Sequence, residues 1–284
     1  MYTLDIINDY TAKAEAKTTQ AVGGVDASLI GAETNVAKAS VGTLAEAGIC
    51  GKGEINVVGK LNVNIDGTAK AEAGIASSTV KLSGISIAAN AVDAELLAKQ
   101  YAFIEDADVT AGNVGIISRF NTDGSGALAQ LGSVTTGGLD VSLVGASANV
   151  AHAKANATSH AYASGASINA GNGTINISSQ ATSMATADVV LPSGSIGLVS
   201  IGVNELQANA GGSYNAYLNG AAGSIIAGQL NINNNYTARA NARTGASTQG
   251  VSVSGGTVTV SATQAAQGGL SSNVTYQWIA VGTE

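Results

Sequence analysis

The chain repeats itself at a spacing of about 57 residues, a period typical of stacked repeat architectures. Residues 4–16 (LDIINDYTAKAEA) line up with residues 61–73 (LNVNIDGTAKAEA), and weaker copies of this phrase follow at 175–187 and 230–242. In such architectures no unit buries its apolar face until a neighbour covers it. The sequence therefore predicts a chain that is built by adding like units.

A second phrase keeps the same period. Residues 25–37 (VDASLIGAETNVA) return as residues 139–151 (LDVSLVGASANVA), at twice that spacing. Two unrelated phrases with one period are hard to obtain by chance. We therefore divide a single domain, residues 1–284, into five degenerate repeats: 4–60, 61–117, 118–174, 175–229 and 230–284.

Within the repeats, apolar or small residues alternate with polar ones. The alternation is clearest at residues 148–157 (ANVAHAKANA) and 257–261 (TVTVS), and a period of two indicates strands. Alanine is the best helix former, and residues 92–104 could also form an amphipathic helix. Elsewhere alanine recurs at every second residue, which would wind around a helix rather than form one face, so strands are predicted throughout.

The composition indicates a thin core. The chain has 37 glycines and one proline, and only 4% of its residues are aromatic and 11% charged. Small inward residues let neighbouring strands and sheets approach closely. The predicted fold class is all-β: a parallel β-helix-like solenoid with a thin core of Ala, Val and Ile. Each repeat is expected to form two or three coils, although the turn signals favour longer coils with long strands.

The charge pattern excludes several classes of partner. The net charge is −7 and the basic residues are scattered singly, so no patch for nucleic acid is predicted. No apolar stretch is long enough to span a bilayer. The first residues lack the basic and apolar segments of a signal peptide, so either such a segment was removed or the chain is part of a longer protein. Cys50, the single cysteine, is expected to be a small buried hydrophobe.

Residues with catalytic or metal-binding chemistry are sparse. His152 and His160 lie on one face of a strand but too far apart to share a metal ion. Asp106 and Asp108, in the run Glu105–Asp108, offer oxygen ligands that suit Ca²⁺, but a solvated corner is the expected role. We predict no catalytic residues, no cofactor and no metal site.

Aromatic platforms for sugar are also not expected. Trp278, Phe103 and Phe120 are widely separated in the sequence, whereas carbohydrate-active β-helix enzymes need aromatic platforms beside paired carboxylates. Such an enzyme remains the third hypothesis.

The two ends of the chain carry larger side chains than its alanine-rich middle. Such ends either cap the solenoid or dock on another copy, because an uncovered terminal strand is a sticky edge. The residues predicted to do so are Tyr2, Leu4, Ile6, Tyr276, Trp278 and Ile279.

Three features of the sequence are similar to a known family: the composition, the alternating run at residues 148–157 and the phrase LNIN at 230–233. In these features the chain resembles the repeat region of large bacterial filamentous adhesins, of the haemagglutinin-like or leukotoxin-like kind. The resemblance implies export by an autotransporter or two-partner route, an extracellular or cell-surface location, and a host or cell-surface ligand. The leading hypothesis is a non-enzymatic structural or adhesive stalk or filament segment. The alternative is a self-polymerising extracellular fibre subunit that stacks end to end as a homo-oligomer.

Overall fold

The structure, a computed structural model, describes residues 2–19, 25–76, 80–131, 140–190, 195–219, 224–245, 248–262, 266–270 and 275–278. Within these ranges the chain forms strands and no helix. The strands are β1 (Thr3–Thr19), β2 (Val25–Val41), β3 (Leu44–Cys50), β4 (Glu54–Ala76), β5 (Val80–Leu96), β6 (Lys99–Glu105), β7 (Asp108–Phe120), β8 (Ala127–Leu131), β9 (Asp140–Ser164), β10 (Ser167–Asn169), β11 (Thr174–Val190), β12 (Ser195–Asn219), β13 (Ser224–Ala227), β14 (Gln229–Gly245), β15 (Thr248–Ala262), β16 (Ala266–Leu270) and β17 (Thr275–Trp278).

These strands form two parallel sheets. The first sheet runs β1-β4-β8-β11-β7-β10-β13-β17, with β14 against β11. The second runs β15-β12-β9-β5-β2, and β16 pairs with β12 while β6 pairs with β3 and β9. The all-β prediction is confirmed, and the described strand pairs are parallel.

Each strand pairs with its own copy one repeat later. Leu4 lies beside Leu61 and Ala153 lies beside Ala208, so one repeat adds a single layer to each sheet. The prediction of two or three coils per repeat is therefore wrong. The physical reason is strand length. The strands continue for 17 residues in β1 and 25 in β9, so a repeat of about 57 residues is long enough to cross each sheet only once.

Residues 92–104, where the sequence also allowed a helix, form strands. β5 ends at Leu96 and β6 begins at Lys99. Val92, Ala94 and Leu96 point inward and are almost fully buried. Burial of alternate residues against the opposite sheet, the alanines among them, outweighs the helix propensity of alanine.

β4, β7, β11 and β8 pair in a closed circuit of four strands. β7 and β8 lie end to end between β4 and β11, because the chain leaves the sheet at Asn121 and returns at Ala127. The Asn121 amide accepts a hydrogen bond from Ala69 N (2.7 Å) and donates one to Ala69 O (3.0 Å). This side chain thus replaces the backbone partner that β4 loses at the break.

The space between the sheets holds two clusters of buried hydrophobic residues. In the first, the alanine cluster, most members are alanines; it takes inward positions of residues 37–41, 69–75, 92–98, 127–129, 151–157, 181–189 and 206–210, with Phe120, Tyr214 and Tyr236. In the second, the aliphatic cluster, Ile, Val and Leu outnumber Ala; it takes inward positions of residues 47–49, 61–65, 102–116, 161–170, 175–177, 216–218 and 225–227.

The sheets lie close together beside the alanine cluster. Ser183 Oγ on β11 donates a hydrogen bond to Ala155 O on β9 at 3.1 Å. A single two-atom side chain therefore bridges the gap, which is narrower than the ~10 Å of ordinary stacked sheets.

A buried polar network, here called the polar seam, separates the two clusters. It consists of Gln100, Ser118 and Ser159, all fully buried, with the hydroxyl of Tyr10. Gln100 Nε2 donates to Ser118 Oγ (2.8 Å), Ser159 Oγ (3.1 Å) and the Arg119 carbonyl (2.7 Å), while Tyr10 donates to Gln100 Oε1 (3.1 Å). Such a network stabilises a core only when its members find partners, as these do.

Successive layers turn at one stacked corner. Gly51, Asp106 and Gly165 occupy it in three consecutive layers with φ values of 100°, 53° and 64°. Each donates its backbone N–H to the next layer, as Asp106 N does to Ser164 O at 3.0 Å. Cys50, just before this corner, is exposed. The expectation that it is buried is wrong, because Cys50 takes an outward position at the end of β3.

Candidate functional site

The residues predicted for the first end lie together on the edge of the first sheet. Tyr2 immediately precedes β1, which carries Leu4 and Ile6. Tyr2 is 78% exposed and Leu4 40% exposed, while Ile6 is partly buried against the aliphatic cluster. Among the described strands β1 pairs only with β4, so these residues belong to an open edge.

The residues predicted for the second end lie on β17, at the other end of the same strand order. Tyr276 pairs with Ile225 and Trp278 pairs with Ala227 along the backbone, whereas Ile279 lies outside the described residues. The two predicted groups are thus placed at opposite ends of the sheet and are not brought together. Whether they cap or dock stays a prediction.

The acidic run forms a corner rather than a continuous strand face. Asp106 occupies the corner with its left-handed φ, and Asp108 begins β7. The Glu105 carboxylate accepts a hydrogen bond from the Tyr162 hydroxyl at 2.8 Å. Across the described ranges, no three His, Cys, Asp or Glu side chains converge in a way that could hold a metal ion.

Five ring side chains form a strip on the outer face of the second sheet. This aromatic strip consists of Tyr101, Phe103, His160, Tyr162 and Tyr217, on β6, β9 and β12. The rings of Phe103 and Tyr162 stack with centroids 5.6 Å apart, and those of Tyr162 and Tyr217 stack at 5.0 Å. His160 contacts Tyr101 and Tyr217 edge to face.

The strip is packed tightly enough to change the acidity of its members. Burial, with the hydrogen bond to Glu105, raises the pKa of the Tyr162 hydroxyl, and burial raises the pKa of Tyr217. Burial also lowers the pKa of His160, whose Nε2 lies 3.0 Å from Ser213 Oγ and 3.2 Å from Asn215 Nδ2. At neutral pH the strip is therefore favoured in its uncharged form.

The stacking decides what the strip offers to solvent. Tyr162 is covered on one face by Phe103 and on the other by Tyr217, and the Phe103 ring lies over Gly48 in the preceding layer. Sugar platforms expose a ring face, whereas this arrangement uses the faces to join layers. Offset-stacked pairs of this kind contribute about 0.5–1.5 kcal/mol each.

Sequence reasoning missed this strip because it considered Trp278, Phe103 and Phe120 as sugar platforms and gave Tyr101, Tyr162 and Tyr217 no role. The available signal was positional: Phe103, Tyr162 and Tyr217 occupy equivalent places in three repeats. The first step, 162 minus 103, is 59, and the second, 217 minus 162, is 55. Because neither step equals the 57 residues that separate the phrases at Leu4 and Leu61, comparison at that spacing does not align the three rings.

His152 lies on the same outer face, eight residues before His160, as predicted from the even spacing. Its Nε2 is 3.4 Å from Glu205 Oε1, and it takes no part in the aromatic strip. The two histidine side chains therefore have different neighbours.

In the described part of the chain, no helix is long and apolar enough to cross a membrane. No protein-family model, curated protein or solved structure matches the chain.

Proposed function

We propose that the chain is a non-enzymatic structural protein: a β-solenoid segment that extends a stalk, adhesin or filament at the bacterial cell surface. The observation that carries this proposal is the register of the sheets. The column Leu4, Leu61, Val114, Ile175 and Leu230 crosses five successive layers of the first sheet, with steps of 57, 53, 61 and 55 residues along the chain. A chain with this register grows by adding layers.

Side-chain ladders on the second sheet support the same proposal. Asn35 Nδ2 donates to Asn90 Oδ1 (3.0 Å), and Asn90 Nδ2 donates to Asn149 Oδ1 (3.1 Å). Stacked amides and stacked aromatic rings are typical of parallel in-register layers. The aromatic strip is a second ladder of this type, so residues that could act as a site serve to hold layers together.

The dimensions favour a building unit over a complete rod. The 25 residues of β9 span about 80 Å, whereas five layers at about 4.8 Å give a height of about 24 Å. One copy is therefore a slab that is broader than it is tall. An elongated stalk or filament needs more layers, either from a longer chain or from further copies.

The cell-surface location rests on the resemblance to filamentous adhesins. It is tested by labelling intact and permeabilised cells of the source organism with an antibody against the purified chain. Labelling of intact cells, lost after brief protease treatment, is expected. Labelling only after permeabilisation would contradict the surface location.

The architecture has a separate test. Negative-stain electron microscopy of the purified chain should show slabs whose longest dimension, about 80 Å, is the length of the longest strands. Particles that are compact in all directions would exclude the layered fold. The carbohydrate-active hypothesis is tested by release of reducing or unsaturated ends from acidic polysaccharides; activity that survives further purification would replace the structural proposal.

The second candidate function is a self-polymerising fibre subunit. It is favoured by the incomplete burial of β1 and β14, each of which pairs with one strand among those described. Ala14 on β1 and Ala240 on β14 are only partly buried, whereas Ala71 beside Ala14 and Ala185 beside Ala240 are fully buried.

A further inference from the structure

We propose that copies of this chain join head to tail, with β14 of one copy pairing in parallel with β1 of the next so that residue 230 lies beside residue 4. The inference rests on the layered architecture of the proposed function and adds its partner, a second copy. It assigns one defined register to the contact.

The inward residues of β1 and β14, the first and last long strands of the first sheet and here called its terminal strands, are identical over the thirteen-residue span compared. From position 4 to position 16, the inward positions of β1 read Leu, Ile, Asn, Tyr, Ala, Ala, Ala, and those of β14 read the same from position 230 to position 242. The strands that they pair with differ: β4 reads Leu, Val, Ile, Gly, Ala, Ala, Ala, and β11 reads Ile, Ile, Ser, Ala, Ser, Ala, Ala. Each terminal strand thus matches the other better than it matches its own neighbour.

Identical residues suit parallel in-register stacking, because equal side chains then lie beside each other along the axis. Positions 4 and 230 are also the two ends of one column within the chain, and so are Ala14 and Ala240. Head-to-tail pairing continues these columns without changing which residues face inward.

Within the described part of the chain, both strands lack the second neighbouring strand that interior strands have. Among the described strands β14 pairs only with β11, as β1 does with β4. Leu230 and Ile232 are only partly buried, whereas Ile175 and Ile177 beside them on β11 are fully buried. One further layer at each end would complete the burial.

The tyrosines in the contact do not compete for space. The Tyr10 ring lies over Gly67 in the following layer, and the Tyr236 ring stacks on Tyr214, on β12 of the opposite sheet, with centroids 4.0 Å apart. Each ring leans into its own molecule. Positions 10 and 236 can therefore become neighbours without placing two rings in one volume.

The outward residues are compatible in charge. The acidic positions 5, 9 and 15 of β1 correspond to asparagines at 231, 235 and 241 of β14. Within the chain, Asn62 Nδ2 donates to Asp5 Oδ1 at 2.7 Å, which shows how an asparagine beside this carboxylate bonds to it. Asn231 on the other side of Asp5 would repeat that contact.

Basic residues face each other in the proposed register, at positions 13 and 239 and at positions 17 and 243. The chain already accommodates such a pair. Lys13 lies beside Lys70, and both bind the Glu72 carboxylate, while Lys13 also binds Glu15 at 2.7 Å. Glu15 lies between the two basic positions of the contact and can serve both strands.

Disulfide mapping tests the register. In a Cys50→Ser background, Thr11→Cys and Thr237→Cys are made in separate chains, purified and mixed under mild oxidation. Both threonines are exposed, and paired positions of adjacent strands lie about 4.8 Å apart, within the range that a disulfide spans. The matched control replaces Thr237→Cys by Asn233→Cys, also exposed but about 13 Å along the strand.

We expect the 11–237 mixture to cross-link faster than the 11–233 mixture, by on the order of tenfold, with the linked peptides identified by mass spectrometry. Analytical ultracentrifugation of the unmodified chain should show association that increases with concentration. Equal rates for the two mixtures, or faster formation of 11–11 dimers, would overturn head-to-tail pairing.

A third variant separates this failure from failure of the layered fold. Thr11→Cys with Thr68→Cys in one chain should form an internal disulfide, because these residues are paired in β1 and β4. An internal 11–68 bond without the 11–237 bond removes only the head-to-tail contact. Absence of the 11–68 bond removes the layered fold, the proposed function and this inference together.

Discussion

The alanine cluster and the aliphatic cluster lie on the same strands and are equally buried, yet they are stabilised differently. β11 contains both: Ile175 and Ile177 toward one end, Ala185 and Ala187 toward the other, all without solvent exposure. Burial of an isoleucine removes much more apolar area from water than burial of an alanine. The alanine half must therefore depend more on backbone hydrogen bonds and on the close approach of the sheets.

The comparison shows how one register can accommodate two kinds of core. The backbone pairing of β11 with β14 continues without a shift from Thr174 to Val190, so the difference between the halves lies in the inward side chains and not in the strand pairing. The polar seam occupies the place where one kind of core gives way to the other. Removing large side chains should destabilise the aliphatic half, and adding them should destabilise the alanine half.

Removal of a large side chain from the aliphatic cluster should have the largest effect. Ile177→Ala is expected to lower the free energy of unfolding by about 4 kcal/mol, because it removes transfer energy and leaves a cavity. Urea denaturation followed by circular dichroism measures the change. Ile177→Val is the matched control, with an expected cost of about 1 kcal/mol. Equal costs for the two variants would contradict the burial of Ile177 in a close-packed aliphatic half.

The reverse change in the alanine cluster should destabilise although it adds apolar area. Ala185→Leu is expected to lower the free energy of unfolding by about 3 kcal/mol, because the narrow gap leaves no room for three more carbons. The same denaturation assay applies. A stabilising Ala185→Leu would show that this half has unfilled space and would remove the distinction between the clusters.

The polar seam should respond less than either core. Gln100→Leu keeps the volume but leaves the Tyr10 hydroxyl and the Arg119 carbonyl without this partner, at an expected cost of about 2 kcal/mol. Adding Tyr10→Phe to that variant should cost less than Tyr10→Phe in the unaltered chain, because the two groups share one hydrogen bond. Additive costs in this double-mutant cycle would show that the seam does not act as a network.

The smallest expected effect lies on the outer face of the aliphatic half, at His160. Burial lowers the pKa of His160, so the folded chain binds fewer protons than the unfolded chain near the ordinary histidine pKa of about 6.5. The contribution of the uncharged His160 side chain to the free energy of unfolding is therefore present above that pH and is lost as the pH falls through it. The free energy of unfolding of the unaltered chain should fall slightly more than that of His160→Gln between about pH 7.5 and pH 5.5. Identical pH profiles would contradict this assignment.

Much of the fold could be predicted from the sequence, because its causes are local and repeated. Alternation predicted the strands, including residues 92–104, and the recurring phrases predicted that equivalent residues such as Ala14 and Ala71 correspond. The number of layers per repeat could not be predicted in the same way. It depends on where the chain turns, and several positions that suit a turn, such as Gly67 and Gly74, lie inside the uninterrupted strand β4.

Less of the candidate site could be predicted, because it depends on contacts between repeats of unequal length. The aromatic strip forms only when Phe103 and Tyr162 are brought to adjacent strands. The polar seam joins Gln100 to Ser118 across the two sheets, and nothing in either local sequence identifies these residues as partners. Cys50 was misassigned because residue type alone does not show which face of a strand is outward.

The Asn121 amide that bridges the break between β7 and β8 has a consequence for how such a chain can acquire new parts. Residues 121–126 leave the sheet, while β7 before them and β8 after them both stay paired with β4 and with β11. Lengthening this excursion costs only the slow increase of loop-closure entropy, about 0.6 kcal/mol for each doubling of length. The break is therefore an insertion point, at which a loop or a whole domain can be grafted onto the slab without moving any layer out of register.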